Sequence, residues 1–199
     1  MPERSADARR QILKQILDSV DHRLSSRLRE ALARPGPTAR PAAGQTVVIA
    51  GHRAAGKTRL LPLVGRLLER PTLDLDAELE RSSGRSLKTW VVEDPSAFRA
   101  AERQALLALP PGSLVAVGGG FLSHHPDALA GMFTLIIPVS FETYRDRLMT
   151  NTSRPRLRPG VPLLEEIASV FYEREALHAR LPTVPLVDFL RAFWREVSP

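Results

Sequence analysis

At 199 residues, 43% of them hydrophobic and 25% charged, the chain has the length and composition of one globular domain with something appended. The absence of cysteine excludes disulfides, thiolate metal sites and cysteine nucleophiles. No apolar run approaches the roughly 18 residues needed to span a bilayer. The charged start MPERSADARRQ lacks the apolar centre of a secretory signal, so no membrane partner and a cytoplasmic location are expected.

The net charge of +6 is unevenly spread. Residues 1–44 hold nine Lys/Arg against five Asp/Glu, and the rest nineteen against seventeen. The basicity is therefore mostly a property of the first stretch. Arginines outnumber lysines 25 to 3, and of Lys14, Lys57 and Lys88 only Lys57 sits in a motif.

Residues 6–33 read as one amphipathic helix, with Leu13, Leu17, Val20, Leu24 and Leu28 at helical spacing. Such a helix either docks on its own domain or self-associates with a copy of itself. A single helix cannot build a helix-turn-helix, so nucleic acid is not an expected partner. RPGPTARPAAG, residues 34–44, reads as a linker between this 1–33 extension and a domain over 45–199.

From residue 45 strands and helices alternate. TVVIA (46–50) is a short, β-branched, fully apolar run, as a buried parallel strand requires. TLDLD (72–76), SLVAV (113–117), FTLIIPV (133–139) and TVPLV (183–187) are further strands. Helices are expected over 57–68, 76–83, 97–108, 140–148, 162–179 and 188–197. The alternation predicts an α/β fold in three layers, with a five-stranded parallel sheet covered on both faces.

Gly51-His-Arg-Ala-Ala-Gly56-Lys57-Thr58 matches the phosphate-binding loop GxxxxGK[ST], with a strand before it and a helix after it. Backbone N–H groups of such a loop, here at Gly51, Ala54, Ala55 and Gly56, form an anion nest with the helix N-terminus. Lys57 would reach the β- and γ-phosphates of a nucleotide, and the Thr58 hydroxyl would hold Mg2+. Hydrolases, switches and small-molecule kinases share this loop, so the acceptor must be read from residues further along the chain.

Asp74-Leu-Asp76 closes the second strand, where strand ends face the ligand crevice of a doubly wound sheet. FRAAE (98–102) comes next, then AVGGGFL (116–122), whose consecutive glycines allow close approach to backbone. NTSRPRL (151–157) is polar and arginine-rich, suited to a lid. YEREALH (172–178) places Arg174 and nearby charges on the last long helix.

This ordered set, GHRAAGKT, DLD, GRSL (84–87), FRAAE, GGG, SRPRL and EREALH, resembles the shikimate kinase family over about residues 45–188. The resemblance implies a P-loop kinase fold and ATP-dependent phosphorylation of the 3-hydroxyl of shikimate, in aromatic amino-acid biosynthesis. It implies Asp74 near the magnesium shell, and Asp76 on the shikimate hydroxyls as base or orienter. It also implies Arg99 and Arg174 as a carboxylate clamp, Gly118, Gly119 and Gly120 against the ring, Arg154 in the lid over the transferring phosphate, and Arg147 beside adenine. A ligand-sensing regulatory domain, or a kinase for another acidic polyol such as gluconate, are the alternatives.

Several positions depart from the family pattern. Ala54 stands where the family usually has glycine, and His178 where it has tyrosine. The segment before Phe98 lacks a Gly-Glu pair, and the loop after the last strand is short. His124 and His125, being adjacent, are not expected to converge on a metal. Trp90 and Phe98 line either a pocket or the core, and Trp194 is expected in the core. Glu102 either braces Arg99 or is solvated.

Overall fold

The computed structural model describes residues 2–150 and 156–197; Arg154 and the rest of 151–155 lie outside the described residues. In chain order come α1 (Pro2–Ser19), α2 (His22–Ala33), β1 (Val47–Ala50), α3 (Lys57–Leu68), β2 (Thr72–Asp74) and α4 (Leu75–Ser83). Then come α5 (Leu87–Glu93), α6 (Pro95–Leu107), β3 (Leu114–Ala116), α7 (Phe121–His124), a 3-10 turn (Pro126–Leu129) and β4 (Phe133–Ile136). The chain ends with α8 (Phe141–Thr150), α9 (Leu163–His178), β5 (Val184–Pro185) and α10 (Leu186–Val197).

The five strands form one parallel sheet in the order β2-β3-β1-β4-β5. β1, buried at every residue, is central because it is apolar throughout and has no polar face to offer water. Its neighbours β3 and β4 flank it on opposite sides, with the chain passing first to edge strand β2 and back to β3 before crossing to β4. The crevice beyond the carboxyl ends of these strands is where such sheets place ligands. One apolar cluster lies on each face. Leu60, Val64, Leu135 and Phe189 belong to the first, and Val48, Leu75, Phe98 and Phe121 to the second.

The stretch read as one helix over 6–33 is two helices, broken at Val20 and Asp21. Asp21 is the reason. Its carboxylate caps α2 by accepting from Arg23 N (3.0 Å). It also accepts from Ser140 N (2.7 Å), Ser140 Oγ (2.6 Å) and Thr143 Oγ1 (2.7 Å) at the start of α8. One fully buried carboxylate thus joins two helix N-termini, each of which favours negative charge. Burial raises the Asp21 pKa, but the donors from Ser140 and Thr143 outweigh it and hold the carboxyl below its ordinary value.

The resulting stabilisation is present above the unfolded pKa and is lost as pH falls through the lower folded value. Asp21→Ala is expected to cost about 3 kcal/mol in urea unfolding, since it removes a cap and leaves Ser140 and Thr143 donors unpaired.

Leu13, Ile16 and Leu17 of α1, with Val20 at the break after it, are buried in the same cluster as Leu61 and Leu67 of α3 and Phe193 of α10. The apolar face of α1 is therefore covered by its own domain. Residues 34–44, read as a linker, are a pinned strap. Arg191, 5% exposed, donates to Pro37 O (2.6 Å) and Ala31 O (2.8 Å), while Ala39 N donates to Asp188 O (3.1 Å). No helix among the described residues is long and apolar enough to cross a membrane.

Candidate active site

The loop between β1 and α3 turns through three residues with positive φ: Gly51 (131°), Ala54 (59°) and Gly56 (93°). Gly56 is the N-cap of α3, so the first amides of a twelve-residue helix point into the loop. Lys57 Nζ donates to Gly51 O (3.1 Å) and His52 O (2.8 Å), tying the loop across its width. Arg147, in the last turn of α8, donates from Nη1 to Ala54 O (2.6 Å).

Ala54 carries the cost of its left-handed conformation, about 1–2 kcal/mol for an L-residue. Ala54→Gly is expected to raise stability by about 0.5–1 kcal/mol, after allowing for glycine's larger unfolded-state entropy. Urea unfolding without nucleotide measures this, and an unchanged or lower midpoint would mean that Arg147 compensates the strain fully.

β2 ends at Asp74, two residues before its expected end, because Asp74 caps α4 by accepting from Asp76 N (3.1 Å) and Ala77 N (3.4 Å). Its other oxygen accepts from Thr58 Oγ1 (2.8 Å). Leu75 between the two acids is fully buried, which leaves both carboxylates on the crevice side. A hydroxyl and a carboxylate oxygen in contact are the donor types a hard cation such as Mg2+ takes, so these residues fit that ion.

Two cavities meet here. The first, about 450 Å3, is lined by the loop, Thr58, Asp74 and Arg147. The second, about 460 Å3, is lined by Phe98, Arg99, Glu102, Arg174 and one face of α5. Arg53, Asp76, Gly118 and Gly119 line both. Asp76 therefore stands at the junction of a phosphate-loop pocket and a second pocket with a cationic wall.

Within the glycine triplet the lack of side chains serves the protein as well as a ligand. A Cβ on Gly119 would lie 2.5 Å from Arg53 N, and one on Gly118 would lie 3.1 Å from Asp76 Oδ1. The phosphate loop and the turn after β3 thus touch backbone to backbone. Both arginines reach Gly120, with Arg174 Nη2 at 3.4 Å and Arg99 Nη2 at 3.5 Å from where its Cβ would be.

The two arginines are held differently. Arg99 Nη1 donates to Glu102 Oε2 (2.6 Å), so the brace exists. Glu102 is 1% exposed, and burial raises its pKa although Arg99 opposes the shift. Arg174 is 9% exposed, and its buried Nη1 has no hydrogen-bond partner among the described residues. Burial, with Arg99 alongside, pushes the Arg174 pKa below its ordinary value. A buried cation with an unused donor is costly unless an anion completes it.

The structure also adds a helix that the sequence pattern does not predict. Helix α5, whose Leu87, Trp90 and Val91 sit at helical spacing, supplies Leu87 of the GRSL motif, and with it Lys88 and Val91, to the second pocket. Trp90 packs edge-on to Phe98 (centroids 5.7 Å apart) in the core, whereas Phe98 reaches both core and pocket. Trp194 is partly buried against the other core cluster. His124 and His125 join no metal-ligating cluster among the described residues.

A second unforeseen group lies behind the loop. His52, 2% exposed, stacks on Phe171 (4.4 Å) and meets His178 edge-on (5.0 Å). Its Nε2 lies 2.6 Å from Glu175 Oε1. Burial, and His52 beside it, push the His178 ring down to about 4, so it is neutral near pH 7.

A five-stranded parallel sheet, a phosphate loop with its lysine and threonine, and a second pocket adjoining it are the parts of a P-loop small-molecule kinase. A sequence model of the shikimate kinase family matches residues 53–186. The shikimate kinase of Desulforudis audaxviator is 30% identical over 164 residues, 74% of this chain and 87% of its own length. That of Thermobifida fusca is 36% identical over 115 residues, 55% and 67% of the two chains. The chain belongs to the shikimate kinase family.

Among solved structures, the shikimate kinase from Acinetobacter baumannii in complex with shikimate superposes with a TM-score of 0.61 at 20% identity. It covers 77% of this chain and 90% of its own. The Aquifex aeolicus enzyme gives 0.58 at 24% identity, covering 77% and 94%. Both show the shared fold.

Proposed function

We infer that this chain transfers the γ-phosphoryl group of ATP to the 3-hydroxyl of shikimate, giving shikimate 3-phosphate and ADP. Family membership sets the donor. The observation that carries the acceptor is the buried Nη1 of Arg174, without a hydrogen-bond partner among the described residues, beside Arg99 across a pocket that opens onto Asp76. Two guanidinium groups at one end of a cavity suit a carboxylate, which each can bond through a planar fork. A hydroxyl on the same small ring then falls toward Asp76 and the phosphate loop.

In this reading the loop amides and Lys57 hold the β- and γ-phosphates in line with the acceptor, and alignment with charge stabilisation does most of the work. Mg2+ held by Thr58 and Asp74 would neutralise charge between those phosphates. Asp76 orients the acceptor hydroxyl and takes its proton as the new P–O bond forms and the bond to ADP breaks. Arg147 is assigned to the adenine side and Arg154 to the lid. The reading carries with it a cytoplasmic location.

The decisive assay is ADP release with ATP and Mg2+, comparing shikimate, gluconate and no acceptor. Release that depends on shikimate alone is expected. Acceptor-independent turnover, or none from folded protein, would overturn the enzyme reading, and turnover on gluconate alone would reassign the acceptor.

A further inference from the structure

The geometry points to a second metal site: we propose that His52, Glu175 and His178 bind one imidazole-preferring divalent transition cation, of which Zn2+ is the type. The three side chains come from two parts of the fold, the phosphate loop and the last turn of α9. Each offers one ligand atom, and these atoms all lie within 4.8 Å of one another. Glu175 Oε1 is 2.6 Å from His52 Nε2 and 4.0 Å from His178 Nδ1. Those two distances bracket the separation of about 3.4 Å that tetrahedral geometry gives to ligands bonded at about 2.1 Å.

Two observations set the group apart from an ordinary buried ion pair. His178 is only 7% exposed, yet its Nδ1 faces Glu175 with no hydrogen-bond partner among the described residues. An aromatic shell of Phe171 and Tyr144 surrounds His52, so the imidazole is oriented and has no water-facing alternative. A buried polar nitrogen without a partner is costly, and a cation would remove that cost. The Glu175 side chain is 54% exposed, which leaves an entry path and a coordination position for solvent.

Two histidines with one glutamate and an open position form a ligand set that suits zinc, and its nitrogen content distinguishes it from the oxygen donors Thr58 and Asp74. A cation here would fasten the loop to α9. The backbone oxygen of His52 accepts from Lys57 Nζ (2.8 Å), and Glu175 directly follows Arg174. The ion would thus brace a residue of each pocket.

The test uses the full-length chain, stripped with chelator and free of nucleotide, and titrates it with Co2+. One equivalent should bind, with the strong visible d–d absorption of a four-coordinate ion. Stoichiometric Zn2+ should abolish those bands and excess Mg2+ should leave them, which separates this site from Thr58 and Asp74. Glu175→Gln, at a half-exposed position, and His178→Phe should each weaken cobalt binding by about tenfold or more. His124→Gln should leave it unchanged. Absence of stoichiometric cobalt binding by the folded wild-type chain would overturn the proposal. So would equal affinity in folded Glu175→Gln and the wild type, or displacement of the bands by Mg2+.

Discussion

Asp76→Asn is expected to lower kcat by about 10²- to 10⁴-fold at saturating ATP and shikimate, with the KM for ATP within about threefold of wild type. Asparagine keeps the shape and most of the hydrogen-bonding capacity but cannot accept the acceptor's proton. Position makes the effect large. Asp76 lines both cavities, in the first turn of α4, whose cap Asp74 is itself bonded to Thr58. The fold therefore fixes the carboxylate where donor and acceptor must meet. Steady-state kinetics measure the split, and unfolding midpoints verify the fold. A loss in kcat under about threefold would reduce Asp76 to orienting the hydroxyl.

Arg174→Met should raise the KM for shikimate by about 10- to 100-fold, the kinetic equivalent of a lost charge-assisted bond of about 1.5–3 kcal/mol. Folding stability should stay level or rise, because the variant no longer buries a cation with an unused donor. That pairing of readouts separates a substrate clamp from a structural residue. A structural arginine would lose stability and leave KM nearly unchanged. Arg99 differs in kind: Glu102 already neutralises it, so its removal also strands a buried carboxylate.

What could be read from the sequence was whatever is local in the chain. The phosphate loop and the existence and order of the five strands announce themselves within a few residues, but every strand is shorter than its expected run, and Asp76 lies in α4 instead of at a strand end. Even the anomaly at Ala54 was visible, and its φ of 59° confirms that the position calls for a left-handed residue.

What escaped was set by distant partners. The break at Asp21 depends on Ser140 and Thr143, over a hundred positions later, so helical spacing alone carries the pattern straight through it. Residues 34–44 have a linker's composition, yet Arg191, Arg195 and Arg70 donate to the carbonyls of Pro37, Gly36 and Ala42 within them. Neither His52 nor His178 suggests a cluster until the phosphate loop and the last turn of α9 are brought together.

The packing of α1 changes what kind of element α3 is. With the sheet on one flank and α1 on another, Leu60, Leu61, Val64 and Leu67 sit in the interior along most of its length. Local opening of such a rod approaches the free energy of unfolding the whole domain. Its first turn can hold phosphates against a nearly immovable support. Compliance at the site is then expected from the opposite wall, where α5 contributes Leu87, Lys88 and Val91 to the second pocket. That helix is held by buried Trp90, with Leu87 and Val91 only partly buried against the core. In the proposed reading, donor grip and acceptor admission thus fall to parts of the molecule that are packed to different depths.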